Sequence, residues 1–232
     1  MTMGKLRIIP TGPIYSGIKF CVDDGLTDQG PDKLAITPVG GMVGGVGGFV
    51  GNGTDAACTI GTSADVAWWY ETGLGTAAAW VKCPSLAATQ IIFGQASTDA
   101  QLGVKWTISA TPALKFDVSK GSGGTLAYEG YAALDLGVNK WGFIVVVANG
   151  SQVIQYLNGA VIAGQSSTWN GLRDAVNASR GVSIGYDVGS ASKKWFTGPV
   201  RGARMWDRPL SASELAYLYK TEAPAFAQGE AP

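Results

Sequence analysis

The sequence predicts an all-β protein: an antiparallel two-sheet sandwich closed by one short C-terminal helix. Three observations predict it. The run Trp141 to Ala163, WGFIVVVANGSQVIQYLNGAVIA, places two Asn-Gly pairs between β-rich segments. Asn and Gly accept the positive φ values that a two-residue type I′ hairpin turn requires. Roughly a dozen short β-prone runs alternate with turn residues at the spacing of a sandwich. Near the end, Pro209-Leu210-Ser211-Ala212-Ser213-Glu214-Leu215 is a capping box, the one credible helix start.

Taken in order, residues 1–14 read as an extended arm, with Lys5 to Ile9 able to form one strand and Pro10 and Pro13 excluding a helix. Tyr15 to Val22 is a first strand, and Asp23 to Pro31 is turn chemistry. Val39 to Gly53 is glycine-dense but has no Lys after its glycines, so it is not a phosphate loop. It reads as a pliable loop or as a strand packed close against its neighbours. Further strands are expected at Ala56–Ile60, Thr76–Lys82, Gln90–Gly94, Val104–Ser109, Ala113–Ser119 and Thr125–Tyr131. In the central hairpin Phe143, Val145 and Val147 point one way and Ile144, Val146 and Ala148 the other. Both faces of that strand are therefore expected to be buried. Val182–Tyr186 and Thr197–Trp206 are the late strands. Arg204, Trp206 and Arg208 alternate ahead of the helix, where they close the sandwich edge and pair with it. The helix is expected to end near Tyr219, leaving 221–232 as a tail with little intrinsic order and 15–220 as the sandwich domain.

Composition bounds the function. With 17 basic and 17 acidic residues the chain has no long-range pull toward nucleic acid or an anionic membrane. No apolar run reaches the ~18 residues of a membrane span. Charged residues are 15% of the chain, so a weakly charged surface can tolerate broad protein contact. The absence of His removes Ser-His-Asp and Cys-His catalysis and His-based zinc. Cys21, Cys58 and Cys83 are odd in number and form no CxxC pair, which reads as buried thiols. The N-terminus lacks the apolar core of a secretory signal, so synthesis and folding in a cytoplasm are expected.

Three segments carry a family resemblance: TAAAWVKCPSLAATQIIFGQ; NKWGFIVVVANGSQVIQYLNGAVIA; and VSIGYDVGSASKKWFTGPVRGARMWDRPLSASELAYLY. Over about residues 56–220 the chain resembles the concanavalin A-like (laminin G-like, pentraxin-like) jelly-roll family. The resemblance implies a jelly-roll sandwich. Glycosidases of that fold carry a Glu-x-Asp-x-x-Glu strand, because hydrolysis needs two neighbouring carboxylates. Glu71, Glu129, Glu214, Glu222 and Glu230 supply no such strand, so no enzyme and no catalytic residue is expected. The family often binds Ca²⁺, an ion that takes oxygen ligands. Asp23, Asp24 and Asp28 are the metal candidates, with Asp187 and Asn158 a second set, although neither has ligand-loop spacing and solvated turn acids are the favoured explanation. No other cofactor is expected. Lectin relatives stack aromatics on sugars, which makes Trp68, Tyr70 and Trp169 the glycan-binding candidates. Adjacent strand side chains face opposite ways, so at least one of Trp68, Trp69 and Tyr70 belongs to a core.

The fold usually works outside cells, yet the thiols look unpaired and no export signal is present. A bacteriophage structural protein, made in the host cytoplasm and carried on the virion, fits these observations. The expected role is non-enzymatic capsid decoration or attachment. Capsid or tail proteins would be the partners, a homo-oligomer the working form, and Lys5, Arg7, Ile8, Ile9 and Phe226 the docking residues. The alternative is a carbohydrate-binding lectin module that grips a cell-surface glycan; a glycoside hydrolase is the least favoured.

Overall fold

The computed structural model describes residues 13–22, 28–45, 48–62, 64–65, 72–94, 103–110, 113–119, 126–166, 182–186 and 194–227. Among them are a 3-10 turn (Pro13–Tyr15), fifteen strands and one α-helix. The strands are β1 (Ile18–Val22), β2 (Ile36–Val39), β3 (Val43–Gly45), β4 (Gly48–Asn52), β5 (Ala57–Ile60), β6 (Leu74–Lys82), β7 (Gln90–Gly94) and β8 (Gly103–Ser109). Then come β9 (Ala113–Ser119), β10 (Leu126–Ala133), β11 (Trp141–Asn149), β12 (Gln152–Leu157), β13 (Ala160–Ser166), β14 (Val182–Ile184) and β15 (Thr197–Trp206). The helix α1 is Ala212–Ala227.

They form two antiparallel sheets stacked as a jelly-roll sandwich. One sheet has eight strands, in the order β13-β12-β11-β6-β15-β4-β3, with β1 also paired to β15. The long strand β15 makes this possible: its first half pairs with β4 and its second half with β1. The other sheet has seven strands in the order β10-β9-β8-β7-β14-β5-β2. Edge strand β2 carries Pro38, which removes a ladder donor and discourages further pairing.

Both faces of β11 are buried, for two different reasons. Ile144, Val146 and Ala148 meet the opposite sheet in the main core with Ile92, Trp106, Ile108 and Phe116. Phe143, Val145 and Val147 face outward and are covered by α1 through Leu215, Leu218 and Phe226. The capping box forms as expected. The backbone N–H of Ser211 donates to Glu214 Oε2 at 2.8 Å, and the Glu214 N–H returns a bond to Ser211 Oγ at 3.3 Å.

The helix does not stop near Tyr219. It continues to Ala227 with Pro224 inside its last turns, so much of the expected tail is helix. Phe226 stacks on Trp80 with ring centroids 4.1 Å apart, and that contact outweighs the helix-breaking preference of Pro. The glycine-dense stretch is the β3–β4 hairpin. A Cβ on Gly51 would collide with the Phe196 carbonyl oxygen, so glycine is needed there for close approach. The two Asn-Gly turns also differ. Asn158 and Gly159 have φ of 52° and 80° and join Leu157 to Ala160 as a two-residue turn. At the first, pairing resumes only at Ala148 and Val153, and Asn149 Oδ1 accepts the N–H groups of Ser151 and Gln152 instead.

Candidate binding site

The ion pairs between sandwich and helix are structural. Arg204, fully buried on β15, donates from its two terminal nitrogens to Glu222 Oε1 at 2.6 Å and Oε2 at 2.7 Å. Trp80 Nε1 donates to the same Glu222 Oε2 at 2.7 Å. The Glu222 charge holds the Arg204 guanidinium even further above its ordinary value, against the opposing effect of burial. Arg208 pairs with Glu214 at 2.6 Å and also donates to the carbonyls of Ile14 and Ser16. Hydrogen bonding to Arg208 pulls the Glu214 carboxyl down to about 2. Both glutamates are thus held by arginine partners.

A cleft of about 360 Å³, within the range of small-ligand sites, opens beside this clasp. It is lined by Tyr15, Ser16, Ile18, Gln29, Gly30, Pro31 and Lys33. Charged side chains fix both of its walls. On one side Arg208 holds the carbonyls of Ile14 and Ser16, and Trp206 Nε1 adds a bond to Ile14 O at 3.1 Å. On the other, the buried Asp28 carboxylate accepts the backbone N–H groups of Cys21, Gly30 and Leu34 at 2.9, 2.7 and 2.8 Å. Lys33 sits in the left-handed region at φ 49°, in the loop this carboxylate ties down. Burial raises the Tyr15 phenol, which therefore stays neutral.

Residues 52–216 match the laminin G family described as the concanavalin A-like lectin/glucanases superfamily. The chain belongs to that superfamily. No curated protein matches the sequence. Solved structures share the fold of this laminin G-like chain at low identity. The receptor-binding domain of botulinum neurotoxin C/D mosaic serotype superposes with a TM-score of 0.69 at 12% identity, covering 89% of this chain and 52% of that one. A structure on type C botulinum neurotoxin, whose cell entry depends on two ganglioside molecules, gives 0.68 at 13%, covering 90% and 52%. The binding domain of botulinum neurotoxin DC in complex with rat synaptotagmin II gives 0.68 at 14%, again covering 90% and 52%. The laminin G-like chain thus spans about half the length of these domains.

Of the metal, docking and glycan candidates, Asp28, Asn158 and Phe226 lie among the described residues; Asn158 is a turn residue whose Oδ1 accepts the Phe143 N–H at 2.9 Å. Asp28 is a loop clamp: its two oxygens are taken by three amide donors. No group of three His, Cys, Asp or Glu gathers as a metal site among the described residues. Phe226 is 3% exposed, packed against Trp80 and Trp141, and does not form part of a docking tail. Asp23, Asp24, Lys5, Arg7, Ile8, Ile9, Trp68, Tyr70, Trp169 and Asp187 lie outside the described residues. The cleft was not foreseen. Its local signal is the Gly30-Pro31-Asp32-Lys33 run two residues after Asp28, which any turn could carry.

Proposed function

We propose that this laminin G-like chain is a non-enzymatic attachment domain of a bacteriophage structural protein, folded in the host cytoplasm and carried on the virion. The supporting observation is its thiol chemistry. Cys21, Cys58 and Cys83 are all buried and none is in a disulfide, and burial pushes the Cys58 and Cys83 thiols up to about 12. An extracellular-type sandwich that keeps three reduced thiols in its core suits synthesis in a reducing compartment and release without export. The two clasp glutamates, each bound to an arginine, support a holding role over hydrolysis. Capsid or tail proteins are the proposed partners and a homo-oligomer the proposed form. With Phe226 buried, docking falls to Lys5, Arg7, Ile8 and Ile9. Deleting residues 1–12, which spares the 3-10 turn and the Ile14 carbonyl that Arg208 and Trp206 hold, should strip the protein from purified particles while leaving its melting temperature unchanged. Undiminished retention on particles would defeat the docking.

A second reading, adhesion to a cell-surface glycan, is favoured by the superfamily and by the pre-formed polar cleft. A glycan array probed with the whole chain tests it: binding to at least one class of saccharide is expected, and a blank array would refute it.

A further inference from the structure

We propose that the cleft between the 3-10 turn and the loop that follows Asp28 is a binding site for an acidic sugar residue of a polysaccharide, with Lys33 reading its carboxylate. The inference rests on the glycan-adhesion reading and names its ligand class and site.

The walls are pre-organised. Ligand contact need not freeze them, because Arg208 and Asp28 already hold the backbone on both sides. The lining matches a pyranose. Ile18 and Pro31 supply apolar surface for a C–H face, and Ser16 and Gln29 supply neutral groups for hydroxyls. The charge is what selects an acid. Among the described residues Lys33 pairs with no carboxylate; its Nζ lies 3.5 Å from the Asp28 carbonyl oxygen, which orients the ammonium without neutralising it. Among the described residues two neighbouring acids have cation partners of their own: Asp207 pairs with Lys19 at 3.1 Å and Glu214 with Arg208 at 2.6 Å, while Asp28 is turned to three backbone amides. Asp32 is exposed and does not line the cleft. Tyr15 stays uncharged, and among the described residues that line the cleft Lys33 is the charged one. Among the described residues the cleft is lined by the 3-10 turn, Ile18 and the loop after Asp28, which is not the extended strand edge or helical groove that a peptide needs.

The test is a titration of the isotopically labelled full chain with N-acetylneuraminic acid and with glucuronic acid, followed by amide chemical shifts. Glucose and a Glu-Glu dipeptide are the controls. Both acidic sugars should move the Ser16, Gln29, Gly30 and Lys33 amides, and both controls should leave them nearly still. K33N, which keeps a residue tolerant of the left-handed region, should weaken acidic-sugar binding about tenfold with no loss of melting temperature, and K33R should retain it. Three results overturn the proposal: an equal response to glucose or to the dipeptide, no response at these amides, or affinity untouched by K33N. If the array binds glycans while K33N changes nothing, the adhesion reading survives and the site lies elsewhere. A blank array removes the adhesion reading itself.

Discussion

Replacing Glu222 by Leu should destabilise the protein severely, and a second change should reverse much of the damage. Arg204 has no exposed surface, and both of its terminal nitrogens are bonded to Glu222 at 2.6 and 2.7 Å. Removing the carboxylate strands a buried guanidinium, which costs about 3–5 kcal/mol. Trp80 Nε1 loses its acceptor at the same time, a further ~1–3 kcal/mol. The two overlap, because the helix end can lift and let water in, so a total of about 4–5 kcal/mol is expected. That is a large part of the ~5–15 kcal/mol that holds a typical domain together. In the double variant Arg204→Met, Glu222→Leu, the stranded charge is gone and only the indole N–H is unsatisfied. Its deficit should fall to about 1–3 kcal/mol. Urea unfolding at neutral pH, followed by tryptophan fluorescence and far-ultraviolet circular dichroism, measures both. A single variant that loses less than about 1 kcal/mol, or a double variant no more stable than the single, would falsify the clasp as the tie between helix and sheet.

Three further outcomes follow from the same geometry. Glu214 is held at about 2 in the folded chain against an ordinary value of 4.5, so its contribution is complete above the unfolded value and is lost as pH falls from there through about 2. The pair is partly open to solvent, so the loss should be only about 1 kcal/mol; Glu214→Gln should flatten that part of a stability-against-pH curve, and an unchanged curve would refute it. Asp28→Ala should cost about 2–4 kcal/mol by stranding three amide donors, read as a drop in urea midpoint, with accelerated amide exchange at Gly30 and Leu34. Cys58 and Cys83, buried and raised to about 12, should react with a thiol reagent at neutral pH no faster than the chain unfolds; rapid labelling of the native protein would contradict their burial.

How much of this could be read from the chain depended on how local the signal was. The capping box at Ser211 and Glu214, the I′ turn at Asn158-Gly159 and the strands Ala113–Ser119 and Thr197–Trp206 are local patterns, and each forms where the sequence places it. The double burial of β11 was also legible, because its apolar residues alternate without a polar face. What covers the outer face was not. The extension of α1 past Tyr219 depends on Glu222 meeting Arg204 and Phe226 meeting Trp80, contacts that span 18 to about 146 residues of sequence and overrule Pro224. The cleft was hidden for the same reason: its walls come from two loops joined by Arg208 and Asp28, and neither loop carries a motif of its own.

The length of α1 also decides where a partner can bind. Without its last turns, Trp80, Phe143 and Val145 would stand uncovered on the outer face of the eight-stranded sheet as a contiguous apolar patch, the kind of surface that drives association. Phe226 therefore cannot serve a partner and the fold at once: pulling it outward exposes Trp80 and strains the Arg204–Glu222 pair a turn away. A domain that spends its helix on sealing one sheet leaves attachment to groups outside that seal. The cleft beside Lys33 lies outside it and meets the first strand at Ile18, just after the 3-10 turn, and in the proposed function the arm carries the second contact. If both are used, a ligand in the cleft and a partner on the arm would share the Ile14 and Ser16 carbonyls that Arg208 holds. Arg208→Ala should then weaken both, whereas Lys33→Asn should weaken only sugar binding. Equal effects of the two substitutions on particle retention would show that no such division exists.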